Sequence, residues 1–243
     1  MVAAGNGEVL MKKLFIFLLV LSFASASASA LSEEELPMYG GQPRTAQQQV
    51  ADTTFVEGIT KAAGSREVAI ERTLQKGWEL LTAGDLGQAI KRFNQAWLLD
   101  SKNPDVFHAF GVYMSARGQL DEAIQMYKEA LELNQKHALA MCDLARATKD
   151  KALWLAKTYG PSKEAEVRGY LTQALTLCAD ASRAATLDKD KSYVYYQWAT
   201  MLAMNGDLAG AWEKIHLSRK YGGEFIEPGF IQQLSRDMPA HRN

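Results

Sequence analysis

The sequence predicts an all-α fold, a right-handed superhelical solenoid of about four helical hairpins with a capping helix at each end. Three observations carry this expectation. Small and aromatic residues recur at a 34-residue step: Gly77, Gly111 and Ala145; Ala89 and Ala123; Phe93 and Tyr127; Ala96 and Ala130. The turn glycines Gly84 and Gly118 keep the same step. Only 6 prolines occur in 243 residues, and Ala, Leu, Gln and Glu are frequent, which favours helix throughout. A fixed period in this range belongs to stacked helical pairs, none of which can bury its apolar face alone. Such an architecture makes a binding scaffold, not an enzyme, the first expectation.

The first thirty residues stand apart from that pattern. Lys12 and Lys13 precede an apolar run from Leu14 to Leu21, and Ala24 to Ala30 alternates alanine with serine. A charged start, a short apolar run and an Ala-x-Ala site make up a secretory signal. Cleavage is expected after Ala30, with Ala28 as a second position, and Met11 is the expected true start. The other reading is an uncleaved N-terminal anchor, although the run is short of the ~20 apolar residues that a span needs. The signal has a bacterial look, so the protein is expected to be exported and periplasmic, with no transmembrane span in the mature chain. Without residues 1–30 the chain carries 25 basic and 27 acidic side chains, a formal charge of −2. Such a balance excludes a basic footprint for nucleic acid.

Residues 31–45 read as an extended lead-in. Their acidic start, Glu33-Glu34-Glu35, is expected to be a solvated tail, and Pro37, Gly40, Gly41 and Pro43 oppose regular structure. A capping helix is expected over 46–64: Thr45 can cap it, Val50, Phe55, Val56 and Ile59 share one face, and Gly64 ends it. The solenoid then runs over 65–221. Its first pair carries Gly77, turns at Ala83-Gly84-Asp85 and returns through Ala89, Phe93 and Ala96. The second starts after Pro104, which suits a first helical turn. It carries Gly111, turns at Arg117-Gly118-Gln119 and returns through Ala123, Tyr127 and Ala130.

These residues resemble the tetratricopeptide repeat family: a small residue in the first helix, a glycine turn, then alanine, an aromatic and alanine in the second. Small residues allow two helices to approach closely, and the aromatic fills the space between one repeat and the next. The resemblance covers about residues 70 to 221. The family's terminal proline is replaced by Ser101 and Gln135.

The third repeat breaks the period. From Ala130 to its counterpart Ala184 is 54 residues, twenty more than one step, and Ala184 to Ser218 is again 34. The added residues look helical: Ala152, Leu153, Leu155 and Ala156 continue one helix, and Val167, Tyr170, Leu171 and Leu175 begin the next, with Gly160-Pro161-Ser162 between them. Shared equally, the insertion lengthens each arm by about ten residues, roughly 15 Å, giving a long projecting hairpin. The fourth repeat keeps Ala199, Gly206-Asp207 and Ala211, with Ile215 and Ser218 in place of the aromatic and alanine. Residues 222–243 should form a C-terminal cap and tail, with Phe225 and Phe230 packing. Trp97, Trp154, Trp198 and Trp212 are expected to be packing residues as well.

Cys142 and Cys178 are the only thiols, and an exported chain meets oxidising conditions. Their near-equal distance from Gly160 favours a disulfide between antiparallel arms. The repeat register disagrees, because it sets Cys142 level with Ala184. Six residues along a helix is about 9 Å, beyond the usual Cα separation of about 4.4–6.8 Å. Both a bridge and a pair of buried free thiols therefore remain open.

No G-x-S-x-G, phosphate-cradling glycine loop, H-E-x-x-H or CxxC occurs, and the four histidines, His108, His137, His216 and His241, are scattered. No catalytic residue, metal site or cofactor is expected. The resemblance implies recognition of a protein or peptide by the concave face, formed by the first helix of each repeat. Carried over repeat by repeat, it names Leu74 and Trp78, then His108, Val112 and Ser115, then Arg146 and Lys149, then Tyr196 and Thr200. These would form an aromatic–aliphatic groove with a basic patch toward its C-terminal half. The family's carboxylate clamp uses Lys and Asn there, so capture of an acidic C-terminus in that manner is not implied. A small-ligand or glycan-binding protein using the same groove is the alternative.

Overall fold

The computed structural model describes residues 32–237, and every regular element among them is helical. The expected signal at 1–30 and the last residues of the expected tail lie outside the described residues. No helix among those described is long and apolar enough to cross a membrane. The chain divides into two compact parts at Gln135.

The N-terminal part contains α1 (Ala46–Ala63), α2 (Arg66–Thr82), α3 (Leu86–Leu99), α4 (Pro104–Ala116) and α5 (Leu120–Leu133). Local chemistry sets the boundaries. Thr45 and Gln48 form a reciprocal capping box, with Gln48 N donating to Thr45 Oγ1 at 3.3 Å and Thr45 N to Gln48 Oε1 at 2.9 Å. Ser65, Asp85 and Asn103 cap α2, α3 and α4 through backbone N–H groups. The turn glycines Gly84 and Gly118 sit at φ +82° and +74°, where an L side chain is strained. Their 34-residue recurrence is thus a recurrence of backbone shape.

Each N-terminal pair is locked by one ring against one missing side chain. A Cβ on Gly77 would lie 2.6 Å from Phe93 Cδ1, and one on Gly111 would lie 2.5 Å from Tyr127 Cδ1. Both rings are completely buried, each worth about 1.5–3 kcal/mol of hydrophobic stabilisation. Tyr127 keeps its hydroxyl 3.1 Å from Ser115 Oγ, so the buried phenol is satisfied. Helix α1 packs more lightly: it lies against α2, and none of its residues is fully buried.

The lead-in is not extended. Glu33–Glu35 and Pro37–Gly41 form two short 3-10 turns docked on α3 and α4. Three backbone carbonyls of the segment find side-chain donors on those helices, and this ties down what composition alone marks as a loose end.

The C-terminal part contains α6 (Ala138–Tyr159), a 3-10 turn at Gly160–Lys163, then α7 (Glu164–Ala184), α8 (Asp188–Met204), α9 (Leu208–Lys220) and α10 (Pro228–Asp237). Helices α6 and α7 have 22 and 21 residues, against 13 and 14 in α4 and α5. The buried positions of α7 are Val167, Leu171, Ala174, Cys178 and Ala181, stepping by four and three, the period of a coiled-coil seam. Toward the turn the seam is filled by Ala152, Leu155, Ala156, Val167 and Leu171, joined by Met204. Leu155 therefore points inward, whereas Trp154, expected to pack, is 51% exposed and meets Tyr159 edge-on at 5.8 Å. Helix α10 folds back so that Phe230 and Leu234 join Tyr196, Ala199, Ala211, Trp212 and Ile215 in one core.

Cys142 and Cys178 are free and buried in the structure. Cys142 packs with Ala181, Ala185 and Val194, while Cys178 packs with Ala145, Ala174 and Met201. The two thiols thus occupy different layers of the seam. Register, not symmetry about Gly160, decides their positions.

Candidate functional site

The surface built by α2 and α4 starts from the two ring-against-glycine locks. Phe93 meets Trp78 edge-on at 5.3 Å, Trp78 meets His108 at 5.6 Å, and His108 meets Tyr127 at 5.9 Å. A continuous run of four rings therefore links both pairs of the N-terminal part. Phe93, His108 and Tyr127 are buried, and the Trp78 indole is the partly exposed member. An aromatic side chain braced from behind loses little freedom on binding, which favours an anchor role. Val112 stands in α4 where Trp78 stands in α2, one 34-residue step on, and is partly exposed. Leu74 and His108 are 8% and 6% exposed, so they support this surface from below. Ser115 holds the Tyr127 hydroxyl.

The C-terminal part places its four residues differently. Arg146 Nε lies 3.3 Å from Asp143 Oδ1, and Lys149 Nζ lies 3.2 Å from Asp150 Oδ1. Each cation has a carboxylate beside it, so the pair does not form the bare basic patch that the resemblance implies. Asp143 is itself buried and accepts a 2.6 Å hydrogen bond from the Tyr193 hydroxyl. Burial, then the adjacent Asp143 charge, pushes the Tyr193 phenol well up, so it stays a proton donor to that carboxylate. Tyr196 is only 5% exposed, because Phe230 of α10 packs edge-on against it at 5.8 Å. Burial, followed by the Glu227 carboxylate, raises its phenol to about 12. Thr200 donates its hydroxyl to Gln197 O at 2.7 Å.

The thiols offer no reactive centre. Burial pushes Cys142 well up and Cys178 up to about 12, so both stay protonated at neutral pH. A protonated, enclosed thiol is a poor nucleophile and a poor metal ligand. Two surface hollows, one beside α10 lined by Arg219, Ile226, Pro228 and Ile231, the other at the hairpin turn lined by Pro161, Ser162, Glu164 and Arg168, include none of the named residues.

Three groups escaped the sequence reading: Asp143 with Tyr193, Asn94, and Tyr113. Asn94 carries a usable signal. It is a polar residue one turn from Ile90 on the apolar face of an amphipathic helix, and it is completely buried.

No protein-family model matches the sequence, and no curated protein matches it. Solved structures do. A thermophilic tetratricopeptide protein, TTC0263 of Thermus thermophilus, is similar with a TM-score of 0.55 and 16% identity, over 69% of this chain and 80% of that one. PilF of Pseudomonas aeruginosa is similar with a TM-score of 0.52 and 17% identity, over 71% of this chain and 68% of that one. At such identity the likeness is one of fold, and the fold is the tetratricopeptide solenoid.

Proposed function

We propose that this protein is a non-catalytic interaction scaffold, exported to the cell envelope, which binds a peptide or protein segment on the first helices of its N-terminal pairs. The observation that carries the reading is Trp78, partly exposed on α2 and braced by Phe93 and His108. Trp78 and Val112 make the contact surface, while Leu74 and His108 hold its shape. Arg146 and Lys149, each paired with a carboxylate, are polar residues of the C-terminal part. Tyr196 and Thr200 are structural in the free chain.

Purification of the mature protein from its host, followed by native mass spectrometry, tests this reading. The expected result is a retained protein partner, lost in Trp78→Ala with the helical content unchanged. A retained small molecule or glycan in place of a protein would reject the scaffold in favour of a ligand-binding role.

A further inference from the structure

The segment Ser32–Gly41 is held in the way a bound peptide is held. Asn94 Nδ2 donates to the carbonyls of Glu34 and Leu36 at 3.2 and 3.0 Å, and the Tyr113 hydroxyl donates to the carbonyl between them, that of Glu35, at 2.9 Å. Three consecutive peptide groups are thereby read by two side chains from two helices. Carbonyls are common to all peptides, so this part of the recognition does not depend on the segment's own sequence. The charges and the proline add selectivity. Lys91 Nζ lies 3.1 Å from the Glu34 carboxylate, while the Glu35 carboxylate is taken up within the segment by Ser32 N and Oγ at 3.1 and 2.9 Å. Pro37 is buried at the end of the contact.

Asn94 shows that the surface is built for such a guest. It has no exposure, and its Oδ1 has no hydrogen-bond partner among the described residues. An unsatisfied amide oxygen is a cost that an apolar residue would avoid in a helix needing only a core. What Asn94 supplies is a pair of donors for a backbone laid across it. The charge contacts of the native segment are light. The Lys91–Glu34 pair is 44% and 66% exposed, where ion pairs contribute little. Beyond Pro37 the chain passes through Met38 and Tyr39 at φ +54° and +55°, a conformation that L residues rarely adopt.

We propose that the α3–α4 surface around Asn94 and Tyr113 is a second peptide-binding site, which takes an acidic segment of a partner protein that ends in Leu-Pro and adopts the same 3-10 turn, and that residues 33–37 occupy it as an intramolecular stand-in. The site is separate from the first-helix surface around Trp78, so either can fail without the other. A tethered segment competes at an effective concentration on the order of millimolar. A partner therefore meets an apparent affinity lowered by the fraction of chains in which the segment is docked.

The test uses the full mature chain and a labelled synthetic peptide, Ser-Glu-Glu-Glu-Leu-Pro-Met-Tyr-Gly-Gly. Weakening the resident segment with Leu36→Gly and Pro37→Gly should tighten peptide binding at least tenfold relative to the unaltered chain. Adding Asn94→Ala to that variant should reverse the gain, and a peptide with its three glutamates changed to lysine should bind about two- to fivefold more weakly. Equal binding by weakened and unaltered chains, or a gain that survives Asn94→Ala, overturns the proposal. Hydrogen exchange on the unaltered chain covers the case of a variant that does not fold. Excess peptide should speed exchange of the Glu35 and Leu36 amides several-fold, and no change overturns the proposal. A native dimer dissolved by the peptide would assign the site to a second copy and overturn the partner assignment.

Discussion

The pair α4/α5 and the pair α6/α7 use the same helical hairpin but close it by opposite means. In α4/α5, Tyr127 fills the space left by Gly111, so one large ring and one absent side chain fix the separation. In α6/α7 the corresponding positions hold Ala145 and Ala181, both fully buried, and the seam continues through Cys142, Ala174 and Cys178. The first closure centres on one ring set against one glycine in each pair. The second is distributed over many small contacts along two long arms, which is how helices of more than 20 residues stay together without a large central residue. The local closure also has a consequence for recognition. The rings that lock α2/α3 and α4/α5 extend through Trp78 and His108 to the surface, whereas the exposed aromatic pair of the long hairpin, Trp154 and Tyr159, stands at its turn end, away from the alanine layers.

The largest effect should come from removing a ring. Phe93→Ala should destabilise the protein by about 3–5 kcal/mol, because a completely buried aromatic leaves a cavity behind it. Urea unfolding checks it, and a loss below about 1 kcal/mol would break the idea of a local lock.

Glycine substitutions sharpen the contrast by changing sign. Gly111→Ala should cost about 1–3 kcal/mol, since its Cβ overpacks a buried ring by more than the gain in helix propensity returns. Gly169→Ala on α7, where a Cβ meets nothing within 4 Å, should stabilise by about 0.5–1 kcal/mol. Thermal denaturation of the two variants reads both signs directly.

The hairpin seam can be challenged with the other pair's chemistry. Ala181→Tyr should cost about 1–3 kcal/mol by overpacking, and combining it with Ala145→Gly should recover part of that loss. A double variant no better than the sum of the singles, measured as a coupling energy, would show that the two closures are not interchangeable forms of one contact.

A further effect, set by pH and not by substitution, is expected under alkaline conditions. The folded chain holds the Cys142 and Cys178 thiols protonated, with Cys178 at about 12. Unfolded thiols ionise near pH 8.5, so above that pH the unfolded state binds fewer protons and stability falls, progressively, toward pH 12. Below about pH 8 these groups contribute no pH dependence. Replacing both cysteines with alanine should delay the decline until the buried tyrosines take over, as read from the denaturation midpoint between pH 7 and 11.

Much of the fold was legible because it is periodic. Gly77, Phe93, Gly111 and Tyr127 repeat at one step, and their contacts lie within a pair, 16 residues apart. The 54-residue step from Ala130 to Ala184 pointed to longer arms in α6 and α7, and register read the thiols better than symmetry did. What stayed hidden depends on distant contacts. Tyr196 looked like a surface residue because nothing in its own repeat reveals that α10 returns to cover it. The docking of Glu34 to Leu36 joins residues 58 to 78 positions apart. It also uses backbone carbonyls, which leave no mark on composition. Arg146 and Lys149 were read as a basic patch because their neighbouring carboxylates were not weighed with them.

The most direct test of recognition by the N-terminal pairs is photo-crosslinking from Val112 in the full-length protein in its native host, with Trp154 at the exposed hairpin turn as the control position. The account predicts one dominant protein adduct from Val112, lost when Trp78→Ala is introduced. Silence at Val112 together with strong protein adducts from Trp154 would contradict it, and would move the recognition surface to the long hairpin.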